Sequence, residues 1–165
     1  SGRSVSSVTI GGVCATLRDA SPAVSASGAR LDFWKANVPT GTVVSVVVTS
    51  AGTMYDGTCG VWTCYEEPLF FDGEIDTSIS SASFSLTIDV PEGGAVLAMS
   101  NNNAGGASIS SFTGVTQDFL DTSLRIVGGS LDLLSAETGR AVAVTWSSGS
   151  PNAAFDGLGA MSVYF

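Results

Sequence analysis

The chain has 165 residues, of which 44% are apolar and only 13% are charged, and its formal net charge is −9. This length predicts one domain over residues 1–165, because a chain of this size buries a sizeable core. The absence of His excludes Ser-His-Asp catalysis, Cys-His catalysis and imidazole metal ligands. Acidic residues outnumber basic ones fifteen to six, which argues against binding to nucleic acid or to an anionic membrane surface.

The first residues, Ser1–Ser4, form no apolar leader, and no apolar run in the chain is long enough to cross a bilayer. Either an initiator Met was trimmed or a leader or tag was removed. The small residue Ser1 favours trimming, so we expect synthesis in the cytoplasm of the producing cell. Thiols are initially reduced in that compartment.

The three cysteines, Cys14, Cys59 and Cys64, leave at least one thiol unpaired. If Cys59 and Cys64 share one strand, their side chains point to opposite faces, and a disulfide between them requires a turn. A bond from one of them to Cys14 stays open. The spacing matches no zinc pattern and favours small buried thiols in a sheet.

Strand-forming residues dominate the first half of the chain. The run Val43–Thr49 is nearly all Val, interrupted by Ser45, which predicts a strand covered on both faces or at the centre of a sandwich. The strands predicted in this half are Ser4–Ile10, Gly12–Leu17, Arg30–Lys35, Val43–Thr49 and Gly60–Glu66.

In the second half, Ser83–Val90 shows the clearest alternation of apolar and polar residues, which predicts one buried and one wet face. Thr116–Leu124 is the one weak candidate for a helical turn, and Gly128-Gly129-Ser130 predicts a hairpin. The last strand is expected to hold the C-terminus in a sheet. The further predicted strands are Ala95–Ser100, Ser108–Val115, Leu124–Val127, Leu131–Leu134, Ala141–Trp146 and Gly159–Phe165.

Turn signals separate these short strands. Pro91–Gly94 predicts a turn, and Asp56-Gly57, Asp72-Gly73 and Asp156-Gly157 place Asp-Gly where a positive φ is expected. Short strands at this spacing predict an all-β fold, an antiparallel β-sandwich of the jelly-roll or Ig-like kind with little or no helix.

An acidic stretch over residues 66–76 is a candidate calcium site. Asp72, Glu74 and Asp76 alternate along the chain, so an extended backbone places them on one face. The other interpretation is a solvated strand face or a charged edge that blocks sheet-to-sheet association. The pattern favours the second, so we assign no metal site, and calcium binding stays open.

Aromatic side chains near this stretch are candidates for ligand binding. Tyr55, Asp56 and Trp62 form the candidate site, in which Trp62 acts as a sugar platform or an interface anchor. A core position is the favoured interpretation of Trp62, and Trp34 and Trp146, which lie within strand patterns, are also expected to pack in the core. Paired carboxylates for glycoside hydrolysis have no specific spacing here, so we assign no catalytic residue and no cofactor.

Three segments together resemble a known class of proteins: Asp89–Met99, Ser111–Asp118 and Gly139–Trp146. With Val38–Val44 and Gly60–Trp62 upstream, their order is similar to that of small β-rich proteins encoded in phages, prophages and gene transfer agents of high-GC bacteria. The likeness covers about residues 30–165. Its motifs are strands and turns and include no catalytic residue.

The resemblance implies a non-enzymatic virion-surface protein: a capsid decoration protein, head spike, fibre or tail-tip component, made in the host cytoplasm. It implies capsid or tail proteins as partners and self-association as trimers or higher symmetric oligomers, with residues 1–20 as a candidate attachment segment. The alternative is a lectin-like carbohydrate-binding module for host-surface glycans, using Tyr55, Asp56 and Trp62. A third reading is an adhesin or pilus-like subunit of an exported system.

Overall fold

The computed structural model of the chain describes residues 5–20, 31–38, 43–53, 58–64, 66–76, 82–102, 108–147 and 157–165. In these ranges the chain is all-β and contains no helix. Its strands are β1 (Val5–Ile10), β2 (Val13–Cys14), β3 (Thr16–Ala20), β4 (Asp32–Lys35), β5 (Val46–Ser50), β6 (Leu69–Asp76), β7 (Ser83–Val90), β8 (Gly94–Asn101), β9 (Ile109–Thr113), β10 (Thr116–Asp121), β11 (Ile126–Leu134), β12 (Glu137–Trp146) and β13 (Gly157–Tyr164).

The strands pair only in antiparallel fashion within these ranges, as the sequence predicts. A five-stranded sheet of order β10-β11-β8-β13-β6 faces a three-stranded sheet of order β7-β12-β9. Their inner side chains share one buried core, so the two sheets form a β-sandwich, which we call the sandwich. A second three-stranded sheet, β2-β1-β5, is the N-terminal sheet, and β3 pairs with β4.

The sandwich core confirms the alternation predicted for Ser83–Val90. Phe84, Leu86, Ile88 and Val90 are buried, and each residue between them is exposed. On the neighbouring strand β12, Val142, Val144 and Trp146 point into the same core. Burying a side chain of this size contributes about 1.5–3 kcal/mol, so these strands supply much of the folding free energy.

The outer face of the five-stranded sheet carries a second, smaller core. Phe33 on β4 packs with Ala95, Met161 and Val163, so the β3-β4 pair covers this part of the sheet. Lys35, at the end of β4, donates to Glu67 Oε1 at 2.8 Å and to the Pro68 carbonyl at 2.7 Å. These bonds tie the pair to the start of β6.

The valine run was wrongly predicted to be covered on both faces. The strand that contains most of it, β5, pairs only with β1 among the described strands and lies at an edge of the N-terminal sheet. Val47 is 54% exposed and Val43 is 89% exposed. The run therefore reflects the preference of β-branched residues for extended backbone, not burial.

Two predictions on either side of residue 124 were also wrong. Thr116–Leu124 contains the strand β10 and no helical turn, and Gly128-Gly129-Ser130 lies within the single strand β11. Both glycines are sites of close packing. A Cβ on Gly128 would stand 2.1 Å from the Phe119 ring, and one on Gly129 would stand 2.5 Å from the Thr116 carbonyl oxygen.

The turn predictions had mixed outcomes. The turn at Pro91–Gly94 is confirmed: Gly93 has a φ of 71°, and Gly94 N donates to the Pro91 carbonyl at 3.0 Å. Asp72-Gly73 is no turn, because both residues lie inside β6. Asp56-Gly57 and Asp156 fall outside the described residues. The C-terminal strand is confirmed, since β13 pairs with β8 and β6.

Candidate functional site

Trp62 lies on an irregular segment, residues 58–64, which we call the strap. A strand was predicted over Gly60–Glu66, but the described residues of that range form none. The strap contacts β10 on the outer face of the five-stranded sheet. The direction of the side chains on β11 identifies this face as the outer one. Val127 points into the sandwich core, so the next residue, Gly128, points away from the core, toward the strap.

Side-chain contacts from Trp62 and Thr58 attach the strap to β10. Trp62 Nε1 donates to Asp118 Oδ2 at 2.6 Å, and the indole packs on the Phe119 ring with centroids 5.9 Å apart. Thr58 Oγ1 donates to Asp121 Oδ2 at 3.3 Å. Trp62 is only part-buried. It is therefore an anchor at the surface, with its N–H already used inside the molecule.

The Phe119 ring fills the space that two glycines leave. Phe119 lies opposite Gly128 in the β10-β11 register, and a Cβ on Gly60 would come within 2.5 Å of the same ring. An aromatic residue that covers a cross-strand glycine restores the packing that the missing side chain would supply. Phe119 thus lies between the sheet and the strap and supports the position of Trp62.

The turn after β10 is built around Asp121. Its Oδ1 accepts the backbone N–H groups of Ser123 and Leu124 at 2.9 and 3.0 Å. The bond from Leu124, followed by those from Ser123 and Thr58, lowers the pKa of Asp121, because all of them stabilise the carboxylate. The ionised form of Asp121 therefore supports both the turn and the strap.

The prediction that the cysteines are small thiols buried in a sheet was wrong. Cys14 and Cys59 are exposed and Cys64 is part-buried, and all three are free thiols. Cys14 alone lies in a strand. Partial burial raises the pKa of the Cys59 and Cys64 thiols, and nearby Lys35 partly offsets this effect at Cys64. Raised pKa values keep both groups in the less nucleophilic thiol form.

The acidic stretch forms contacts between the two sheets of the sandwich. Asp72 Oδ2 accepts from Asp89 N at 2.7 Å, and Asp76 Oδ2 accepts from Ser85 N at 3.0 Å. Both donors belong to β7, an edge strand, so the two carboxylates occupy backbone groups that would otherwise meet water or another strand. Glu74, between them, is exposed.

Lys35 holds the pKa of Glu67 below its usual value through their hydrogen bond and charge attraction.

Within the described ranges, no three His, Cys, Asp or Glu side chains come together to form a metal site.

Of the predicted ligand site, the structure describes Trp62 alone, since Tyr55 and Asp56 lie outside the described residues. Sequence reasoning missed Asp118 and Phe119, the residues that hold Trp62. The polar-aromatic pair Asp118-Phe119 was visible, but its link to Trp62 spans 56 residues and has no local signal.

Two exposed apolar surfaces lie elsewhere on the described part of the molecule. The first lies on and beside β5 and comprises Val43, Val44, Val47 and Val48. The second lies at one end of the β6-β13 pair, where Phe71 and Tyr164 pack edge to face with centroids 6.2 Å apart. It comprises Leu69, Phe70, Phe71, Tyr164 and Phe165. Apolar side chains that are exposed in groups are typical of interaction sites.

Comparison of the chain with models of known families, with curated proteins and with solved structures finds no match. In the part of the chain that the structure describes, no helix is long and apolar enough to span a membrane.

Proposed function

We propose that the chain is a non-enzymatic structural protein on the surface of a phage or phage-like particle, as a capsid decoration, head spike or fibre component. The observation that carries the proposal is the combination of a sandwich that has its own buried core with a separate sheet on whose edge strand Val47 and Val48 are exposed. The sandwich supplies a rigid body. The exposed sheet supplies apolar area for contact with a capsid protein, a tail protein or a sister subunit.

The resemblance of residues 30–165 to phage-encoded β-rich proteins supports the same proposal. So does the distribution of charge. The net charge of −9 comes from residues outside β1, β2 and β5, which carry no charged side chain. A charged body keeps a surface component soluble, while an uncharged sheet is available for assembly. The proposed location is the virion, after synthesis in the host cytoplasm, with trimers or higher symmetric oligomers as the assembled form.

The test uses particles from the native producer, purified on a density gradient. We expect this chain in the particle fractions, at a fixed ratio to the major capsid protein, and retained after a high-salt wash. A chain that stays at the top of the gradient while capsid protein sediments would contradict the proposal.

The second candidate is a carbohydrate-binding module, and the part-buried indole of Trp62 favours it. Stacking on a sugar needs an accessible ring face, and Asp118 fixes the indole in position. A glycan array tests it: binding that is lost in Trp62→Ala and kept in Phe71→Ala, an exposed aromatic elsewhere, would support this candidate. No binding by the unaltered chain would remove it.

A further inference from the structure

We infer that β5 is a homotypic docking edge, at which a second copy of this chain adds its own β5 in antiparallel orientation. The inference adds a twofold contact between two copies, distinct from the trimeric or higher assembly proposed above, and rests on the proposed function for its biological setting. Its physical basis is the edge itself, which the sheet order β2-β1-β5 leaves without a neighbour among the described strands.

The backbone of β5 presents hydrogen-bonding groups at this edge. Gly11 N donates to the Ser45 carbonyl at 2.8 Å, so the backbone groups of Ser45 point toward β1. Backbone direction alternates along an antiparallel strand. The N–H and C=O groups of Val46, Val48 and Ser50 therefore point away from β1, toward the open edge.

This edge lacks the protection found on β7. The carboxylates of Asp72 and Asp76 accept two backbone N–H groups of β7. Residues 43–50 contain no charged residue and no Pro, the devices that usually keep edge strands apart. Val47 and Val48 are 54% and 44% exposed, so neither face of β5 is fully covered.

A second copy is the occupant that the charge distribution favours. The described residues of β1, β2 and β5 carry no charge, so a charged strand would lose hydration there without gaining a partner. The chain's own β5 is a neutral strand of matching length. A twofold axis at Val48 would place Val48 opposite the Val48 of the second copy, and Val46 opposite the Ser50 of the second copy. This pairing would join the two three-stranded sheets into one sheet of six strands.

Analytical ultracentrifugation of the purified chain, without particles, tests the inference. We expect a concentration-dependent monomer–dimer equilibrium. Val48→Pro removes an outward N–H without touching the bonds to β1, and Val48→Lys adds a charge at the axis. Each should raise the dissociation constant at least about tenfold, the change that a loss of about 1.4 kcal/mol produces. Val61→Lys is the matched control, because Val61 is 53% exposed but lies on the strap, and it should leave the constant unchanged.

A cross-link tests the register without depending on the stability of the Val48 variants. The three native cysteines are replaced by Ser, and Val48→Cys is introduced. Facing residues of a hydrogen-bonded antiparallel pair have Cα atoms about 5.5 Å apart, within the range of about 4.4–6.8 Å that a disulfide accepts. Mild oxidation should give a covalent dimer, and Val61→Cys in the same background should not.

A chain that stays monomeric at every concentration would overturn the inference. So would a dimer whose dissociation constant is unchanged in both Val48 variants and in which Val48→Cys forms no covalent dimer. Near-ultraviolet circular dichroism of each variant shows whether the sandwich is intact. A monomeric result leaves the particle assignment standing, because gradient sedimentation tests that separately. Absence from particles, in turn, leaves the dimer measurement unchanged.

Discussion

The strands β7 and β5 are both rich in β-branched and apolar residues, yet they lie in opposite environments. On β7, Phe84 is 1% exposed and alternates with polar neighbours. On β5, three consecutive valines leave Val47 54% exposed. Both strands lie at an edge of a three-stranded sheet, so the difference lies in what covers their faces: one face of β7 packs in the sandwich core, whereas Val47 and Val48 leave both faces of β5 partly exposed. An apolar run therefore reports strand propensity, and only alternation reports which face is buried.

The largest expected contrast between the two regions is in stability. Phe84→Ala removes a fully buried ring, and we expect it to lower the free energy of unfolding by about 3–5 kcal/mol. Val47→Ala removes two methyl groups that already meet water and should change it by less than about 0.5 kcal/mol. Urea unfolding of both variants measures the difference. Equal losses would mean that the N-terminal sheet is packed as tightly as the sandwich.

A smaller effect is expected where the strap meets the sandwich. Gly128→Ala places a methyl group 2.1 Å from the Phe119 ring, which must move and release Trp62. We expect a loss of about 1–3 kcal/mol. The Cys59 and Cys64 thiols should also react faster with a thiol reagent. Gly159→Ala is the control, because its new methyl group would meet Leu31 at an ordinary 3.4 Å. Unchanged thiol reactivity in Gly128→Ala would contradict the role of Phe119.

The protected edge of β7 can be opened by one substitution. Asp72→Ala leaves the Asp89 N–H without its acceptor, and we expect a loss of about 1 kcal/mol, since the site is only part-buried. Glu74→Ala, at the exposed position between the two aspartates, should be close to neutral. Thermal unfolding compares the two variants, and equal midpoints would show that Asp72 does not stabilise this edge.

The smallest expected effect is a dependence on pH at the turn after β10. Because the pKa of Asp121 is lowered in the folded chain, its contribution is present above the ordinary value of 3.8 and is lost as the pH falls through the lower folded value. The rates of amide hydrogen exchange at Ser123 and Leu124, corrected for intrinsic rates, should rise as the pH falls through the folded pKa of Asp121. Asp121→Asn should remove this dependence. Exchange that follows pH equally in both proteins would rule out Asp121 as its source.

The fold class was predictable because it depends on short-range patterns. The alternation of Ser83–Val90 and the Pro91–Gly94 turn each lie within a few residues of sequence, and the structure confirms both. Gly128 was misread as part of a hairpin because its role depends on Phe119, a cross-strand neighbour. Asp72-Gly73 was misread as a turn because the carboxylate serves a donor on β7.

The candidate site was predictable only in part. Trp62 was singled out, but the favoured prediction of a core position was wrong, because the residue is only part-buried at the surface. Its partner Asp118 lies 56 residues away, and no local pattern links them. The exposure of the valines was not predictable, since it depends on whether another layer of the fold covers the faces of β5.

The most direct test of the proposed function is a cryo-electron microscopy reconstruction of particles from the native producer. We expect density for the sandwich at regular positions on the particle, with the N-terminal sheet buried against a sister subunit, a capsid protein or a tail protein. Particles without this density, or with the valines of β5 facing solvent in every copy, would contradict the assignment of the chain as a virion-surface protein that assembles through this sheet.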